Sequence, residues 1–226
     1  MNETHDNNPS SPSGSALPFV LAIAVCFMMA YGAFTWWRVQ SWELRRGEAI
    51  PINAIGPPLT EFELTERSGE PFRSADMRGK VWVATYFFTN CAGSCVRLNQ
   101  NIKQMHNEPE LDDVTWVSIS CDPDNDTLEA LGKYADTFDA DPERWLFCRG
   151  DLDYVKRVGL GMNMEVYRQG HKDYAIVIDK EGKIRGVFNA TSRSDCQRLQ
   201  TRLKELLKES PPQDMAAAPG DRFDRG

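Results

Sequence analysis

The sequence has no internal repeat, no cluster of lysines or arginines, and no lysine or arginine before Arg38. The first absence excludes a solenoid or propeller array. The second, with a net charge of −7, gives no support for nucleic acid as a partner. The third removes the basic n-region that a cleaved signal peptide needs. No two of the six cysteines stand in a Cys-x-x-Cys arrangement, which argues against an ordinary thioredoxin-type exchanger.

Charge is also missing from Ala16 through Trp37. That run matches the roughly 20 apolar residues that cross a bilayer core. Trp36 and Trp37 at its end suit the interfacial aromatic belt. The expectation is an uncleaved, single-pass transmembrane anchor at 16–37, behind a disordered N-terminus at 1–15 rich in Asn, Ser and Pro. Residues 38–59, with Pro51, Gly56, Pro57 and Pro58, read as a tether. Residues 60–209 are long enough for a hydrophobic core without disulfide staples, and 210–226 read as a disordered tail. Arg38, Arg45 and Arg46 follow the span, which by the positive-inside rule favours a cytoplasmic domain, although large domains cross against such a bias.

Within 60–209 the pattern is a short hairpin over Phe62–Phe72, a buried strand at 81–88, a helix at about 95–107 and a second strand at 114–121. A helix capped by Asp126-Thr127 follows, then a strand at 145–148, a short helix at 152–158, a hairpin of 174–179 with 184–188, and an amphipathic helix at 194–208. This order predicts an α/β fold, a thioredoxin-like mixed sheet flanked by helices. Sites in such sheets lie beyond the carboxyl ends of strands, where Cys91, Cys95, Cys121, Asp122 and Cys148 fall.

Cys91 and Cys95 are four apart, at a strand-to-helix junction in the exposed-looking Thr89-Asn90-Cys91-Ala92-Gly93-Ser94-Cys95. On one helical turn their Cβ atoms would lie about 5–6 Å apart, close enough for a disulfide or a shared metal ion. A helix N-terminus there lowers thiol pKa. His171 stands three residues before the strand at 174, where thioredoxins place a proline against the active cysteines, so its imidazole is placed to reach the thiols. Cys121 and Cys148 read as buried free thiols rather than a second disulfide or relay, and Met162 and Met164 as packing. Asp122 reads equally as a partner of the active loop and as a plain Asp-Pro turn. His106 reads as a helix-end cap, Cys196 as a bystander, Cys26 as part of the span, and Glu108, Glu110, Asp112 and Asp113 as solvated surface.

Residues 60–208 resemble the Sco/SenC copper chaperones of cytochrome c oxidase assembly. The resemblance rests on Phe88-Thr89-Asn90-Cys91 with Cys95, on Ser120-Cys121-Asp122-Pro123-Asp124-Asn125-Asp126-Thr127, and on His171 eight residues before Asp179. It implies that Cys91, Cys95 and His171 bind copper, as Cu(I) or Cu(II), and that the two thiols also work as a redox pair. It implies a membrane-anchored, extracytoplasmic (periplasmic-side) domain that delivers copper to cytochrome c oxidase subunit II or another copper-receiving protein, or reduces the cysteines of its dinuclear site. The chain departs from the family pattern at Ala92 and Val96, where proline is usual, and at Gly170, where Asp is usual. Thiolate and imidazole donors suit copper on chemical grounds as well. Two other readings of the cysteines stay open: a metal-free thiol-disulfide reductase, and a peroxiredoxin-like peroxidase with Cys91 as nucleophile and Arg97 beside it.

Overall fold

A computed structural model describes residues 23–36, 57–91 and 93–210. The expectations for 1–15, for most of 38–59 and for nearly all of 210–226 lie outside these residues. The first compact unit contributes helix α1, residues 23–36, on which Phe27, Met28, Met29 and Tyr31 are exposed. Among the described residues no helix is long and apolar enough to cross a membrane. The expected span at 16–37 runs past both ends of α1, so its full reach lies outside the described residues.

The second unit holds a seven-stranded mixed sheet in the order β2-β1-β5-β4-β3-β6-β7. Its strands are β1 (Glu63–Glu66), β2 (Pro71–Arg73), β3 (Val81–Phe87), β4 (Val114–Ser120), β5 (Trp145–Arg149), β6 (Tyr174–Ile178) and β7 (Ile184–Asn189). Parallel pairing joins β3 to β4 and β4 to β5, whereas β6 runs antiparallel to both β3 and β7. The expected N-terminal hairpin forms and adds to the sheet by antiparallel pairing of β1 with β5. Its turn uses Gly69 at φ 93°, a left-handed conformation that costs glycine nothing in sterics.

Every residue of β3 and β4 is buried, because helices cover both faces of the sheet. Side chains alternate between the faces. Val81, Val83 and Phe87 join a layer formed by α2 (Ser94–His106), α3 (Leu128–Asp136) and α5 (Arg193–Lys208). Trp82, Ala84 and Tyr86 join the opposite layer, with α4 (Leu152–Gly161) and the segment through Met164 and Val166. Thr127 caps α3 by accepting from the Ala130 amide, and Asp151 caps α4 by accepting from the Asp153 and Tyr154 amides. The parallel strands β3 and β4 therefore end side by side, at Phe87 and Ser120, and open onto one rim.

Candidate metal centre

Cys91 sits outside the helix. After β3 the chain turns, with the Cys91 amide donating to the Phe88 carbonyl at 3.2 Å, and α2 begins only at Ser94. The two thiols therefore do not share a helical turn as the spacing suggested. Cys95, in the first turn of α2, is fully buried against Leu98 and Phe87, which corrects the expectation that both thiols face solvent. Cys91 is half-buried at the edge of the same layer.

His171 comes from the loop between α4 and β6. A tight turn at Tyr167–Gly170, in which each of these two residues donates its amide to the other's carbonyl, sends the chain back toward the rim. The imidazole Nε2 lies 3.1 Å from the Cys95 sulfur, and Nδ1 lies 3.1 Å from the Lys172 carbonyl. A carbonyl only accepts, so Nδ1 carries the proton of the neutral ring and Nε2 presents its lone pair to the Cys95 thiol. The Phe88 ring stands edge-on to the imidazole at 6.1 Å. The structure thus brings Cys95 and His171 into contact, with Cys91 beside them. Among the described residues, no group of three or more His, Cys, Asp or Glu side chains is already arranged as a metal cage.

The two thiols differ electrostatically. Partial burial works to raise Cys91, but its polar contacts with the Cys95 side chain and amide, the Gly93 amide and the Ser94 hydroxyl hold it below an ordinary thiol. Burial pushes Cys95 well up, reinforced by the neighbouring Cys91. Burial also holds His171 below the usual histidine range, against the opposing pull of the Lys172 carbonyl, so the ring is neutral near pH 7. A partly exposed, activated thiol therefore stands next to a buried, protonated one.

The SCO1/SenC family description matches residues 56–208, most of the chain and all of this site. The chain belongs to the SCO1/SenC family. Among its relatives, the Mus musculus protein SCO2 homolog, mitochondrial, is 36% identical over 142 residues, covering 61% of this chain and 51% of that protein. The chain spans about half the length of the curated relatives it matches first. The crystal structure of a SCO1/SenC family lipoprotein from Bacillus anthracis is 28% identical, covers 68% of this chain and 97% of that one, and superposes with a TM-score of 0.63. Yeast Sco1, crystallised with copper bound, shares the fold at TM-score 0.59 and 20% identity, over 74% of this chain and 97% of that one.

In this SCO1/SenC domain the other cysteines are free thiols. Cys121 and Cys148 are buried in the layer opposite Cys95, and burial pushes the Cys121 thiol up to about 12. Met162 and Met164 pack in that layer too, with the Met162 sulfur accepting from the Tyr86 hydroxyl at 3.7 Å. Cys196 is half-buried and donates to the Ala190 carbonyl. Arg97 is exposed, and no hydrogen bond or ion pair among the described residues takes it to Cys91. His106 is not a solvated cap: it is buried and packs on Trp145 with ring centroids 5.6 Å apart.

Two residues that support the site were only half-read in the sequence. Asp126, assigned to the α3 cap, leaves that role to Thr127 and instead binds Thr89 and Ser120. Asp122 is more than a turn residue, since its carboxylate accepts from Gln169 in the histidine loop. The available signal was the density of carboxylates in Asp122–Asp126, more than one helix cap uses.

Proposed function

We propose that the protein binds copper through the sulfurs of Cys91 and Cys95 and the Nε2 of His171. In this reading it hands the metal to cytochrome c oxidase subunit II or another copper-receiving protein, or keeps the cysteines of that dinuclear site reduced. The observation that carries the reading is the 3.1 Å approach of His171 Nε2 to Cys95 Sγ, with the ring tautomer that leaves Nε2 free to bind. Family membership and the copper held by yeast Sco1 support the choice of metal. Two soft thiolates and an imidazole favour Cu(I), and an added oxygen ligand would serve Cu(II). Each thiol must lose its proton on binding, so loading releases protons. Anchoring by 16–37, a tether to about 59 and a working domain over 60–209 outside the cytoplasm belong to the same reading; the lipoprotein character of the Bacillus anthracis relative supports membrane attachment.

Copper titration of the reduced full chain tests it. Stoichiometric binding is expected, with strong loss in Cys91→Ser, Cys95→Ser and His171→Ala. Equal affinity in His171→Ala would remove the imidazole from the site, and loss of neither cysteine mattering would end the reading.

The thiol asymmetry favours a second use of the same pair. The activated Cys91 thiolate attacks a partner disulfide, forming a mixed disulfide and releasing one partner thiolate. Cys95, once deprotonated, then closes the 91–95 disulfide and releases the other. Two electrons pass to the partner. Reduction of a disulfide substrate that needs both cysteines but survives His171→Ala would establish this use.

A further inference from the structure

The residues two places before Cys91 and two places before His171 are gripped by the same short loop. Thr89 donates its amide at 3.1 Å and its hydroxyl at 2.5 Å to Asp126 Oδ1. Gln169 donates its side-chain amide at 2.8 Å to Asp122 Oδ2. Both carboxylates are fully buried. They lie in the connection between β4 and α3, where the Asn125 and Asp126 amides turn back onto the Asp122 carbonyl.

Other contacts reinforce each arm. On the cysteine side, Ser120 donates to the second oxygen of Asp126, and the Cys121 amide donates to the Phe87 carbonyl at 2.9 Å. On the histidine side, the Gln169 amide donates to the Cys121 carbonyl at 3.3 Å, and Arg168 pairs with Asp124. Gln169 adopts a left-handed backbone at φ 51°, uncommon for a residue with a side chain, so the turn depends on its contacts to persist.

We propose that the loop from Cys121 to Thr127 is a two-armed latch, with Asp126 and Asp122 as the positioning residues that set the distance between Cys95 and His171. A buried Asp in a turn ordinarily satisfies amides of its own loop. Asp126 instead accepts from two other places, the strand β4 and the cysteine loop, and Asp122 adds the histidine loop to its own Asn125. Charge-assisted hydrogen bonds of this kind are short and geometrically demanding. Through them the two arms of the site, some eighty residues apart in sequence, are indexed to one rigid piece of chain. The role in metal binding rests on the copper reading above; the role in holding the two groups together does not.

The test compares Asp126→Asn, Gln169→Ala, Thr89→Val and the conservative Thr89→Ser in the full chain. Asparagine in place of Asp126 turns an amide group toward donors, and Thr89→Val removes one donor, which keeps the test alive should Asp126→Asn fail to fold. In reduced, metal-free protein, nitrogen NMR of the His171 ring is expected to show loss of the Nε2 hydrogen bond in the first three variants and its retention in Thr89→Ser. Copper affinity is expected to fall about 10- to 100-fold in the same three, the usual effect of losing an outer support of a metal ligand. Leu203→Ala, a core truncation in α5, controls for loss of stability and is expected to leave both readouts unchanged.

Wild-type ring shifts in Asp126→Asn and Gln169→Ala would overturn the latch, as would equal changes in Leu203→Ala. If the wild-type chain binds no copper, or His171→Ala binds as well, the copper reading fails instead. The ring shifts then still decide the latch.

Discussion

At the scale of single residues, the difference between the two thiols has a direct chemical consequence. Thiolate is the reactive form. Cys91 is half-exposed and its thiol is held below its ordinary value by the hydrogen bonds around it, whereas Cys95 is buried and pushed up. Brief iodoacetamide treatment of the reduced chain near neutral pH is expected to alkylate Cys91 and spare Cys95, with peptide mapping to separate both from the exposed Cys26. The Cys91 rate should rise with pH and reach its half-maximum at a lower pH than an ordinary free thiol does. Labelling of Cys95 first would contradict this assignment. A second residue-scale prediction concerns Ser118, buried between β3 and β5, which accepts from the Trp145 indole at 3.1 Å and lies 3.3 Å from the Thr85 hydroxyl. Ser118→Ala leaves the indole N–H without its partner and is expected to cost about 1–3 kcal/mol in denaturant unfolding.

At the scale of elements, helix α4 shows how packing fixes the route to His171. The position of a Cβ on Gly159 lies 2.7 Å from a Val166 methyl and 2.9 Å from the Met164 carbonyl, while nothing stands within 4 Å at Gly161. Gly159→Ala therefore pushes on the backbone leading to the histidine loop and should destabilise by about 1–3 kcal/mol, overpacking outweighing the gain in helix propensity. Gly161→Ala should be neutral or stabilise by up to about 1 kcal/mol. Equal melting shifts in the two variants would contradict the packing argument. The elements themselves were legible in the sequence because each buried strand is a β-branched and aromatic run, and apolar residues stand at helical spacing in α2 (Leu98, Ile102, Met105) and α5 (Leu199, Leu203, Leu206). Whether Cys91 shares the first turn of α2 was not legible, since Gly93 gives no side-chain cap to mark the helix start, read at about 95 and found at Ser94, and the spacing of Cys91 and Cys95 fits a helical turn equally well. Nor was the second role of the Asp122–Asp126 loop. Its partners Thr89 and Gln169 are distant in sequence, and only the folded sheet brings them to one rim.

At the scale of the whole molecule, folding holds two histidines neutral on the same face of the sheet. Burial lowers His171 and also His106. His106 donates Nδ1–H to the Asn107 side-chain oxygen at 3.2 Å, and its Nε2 is buried without a hydrogen-bond partner among the described residues. Arg144 pushes its value further down, while Asn107, Asp141 and Asp112 oppose the shift. In the unfolded chain both rings titrate near 6.5. Between that value and the depressed folded one, the unfolded state binds more protons, so stability rises with pH across the interval. The contribution is complete above about 6.5 and is lost as pH falls below it. Denaturant unfolding from pH 7.5 down to 5.0 stays above the range of ordinary carboxylates and isolates the histidines. Each ring supplies a slope of at most about 1.4 kcal/mol per pH unit. His106→Phe keeps a ring against Trp145 and removes the titrating group, so it is expected to flatten part of the slope and leave the share of His171. An unchanged slope in that variant would mean that acidification acts elsewhere in the fold; a slope abolished by it would mean that His171 opens to solvent before it charges.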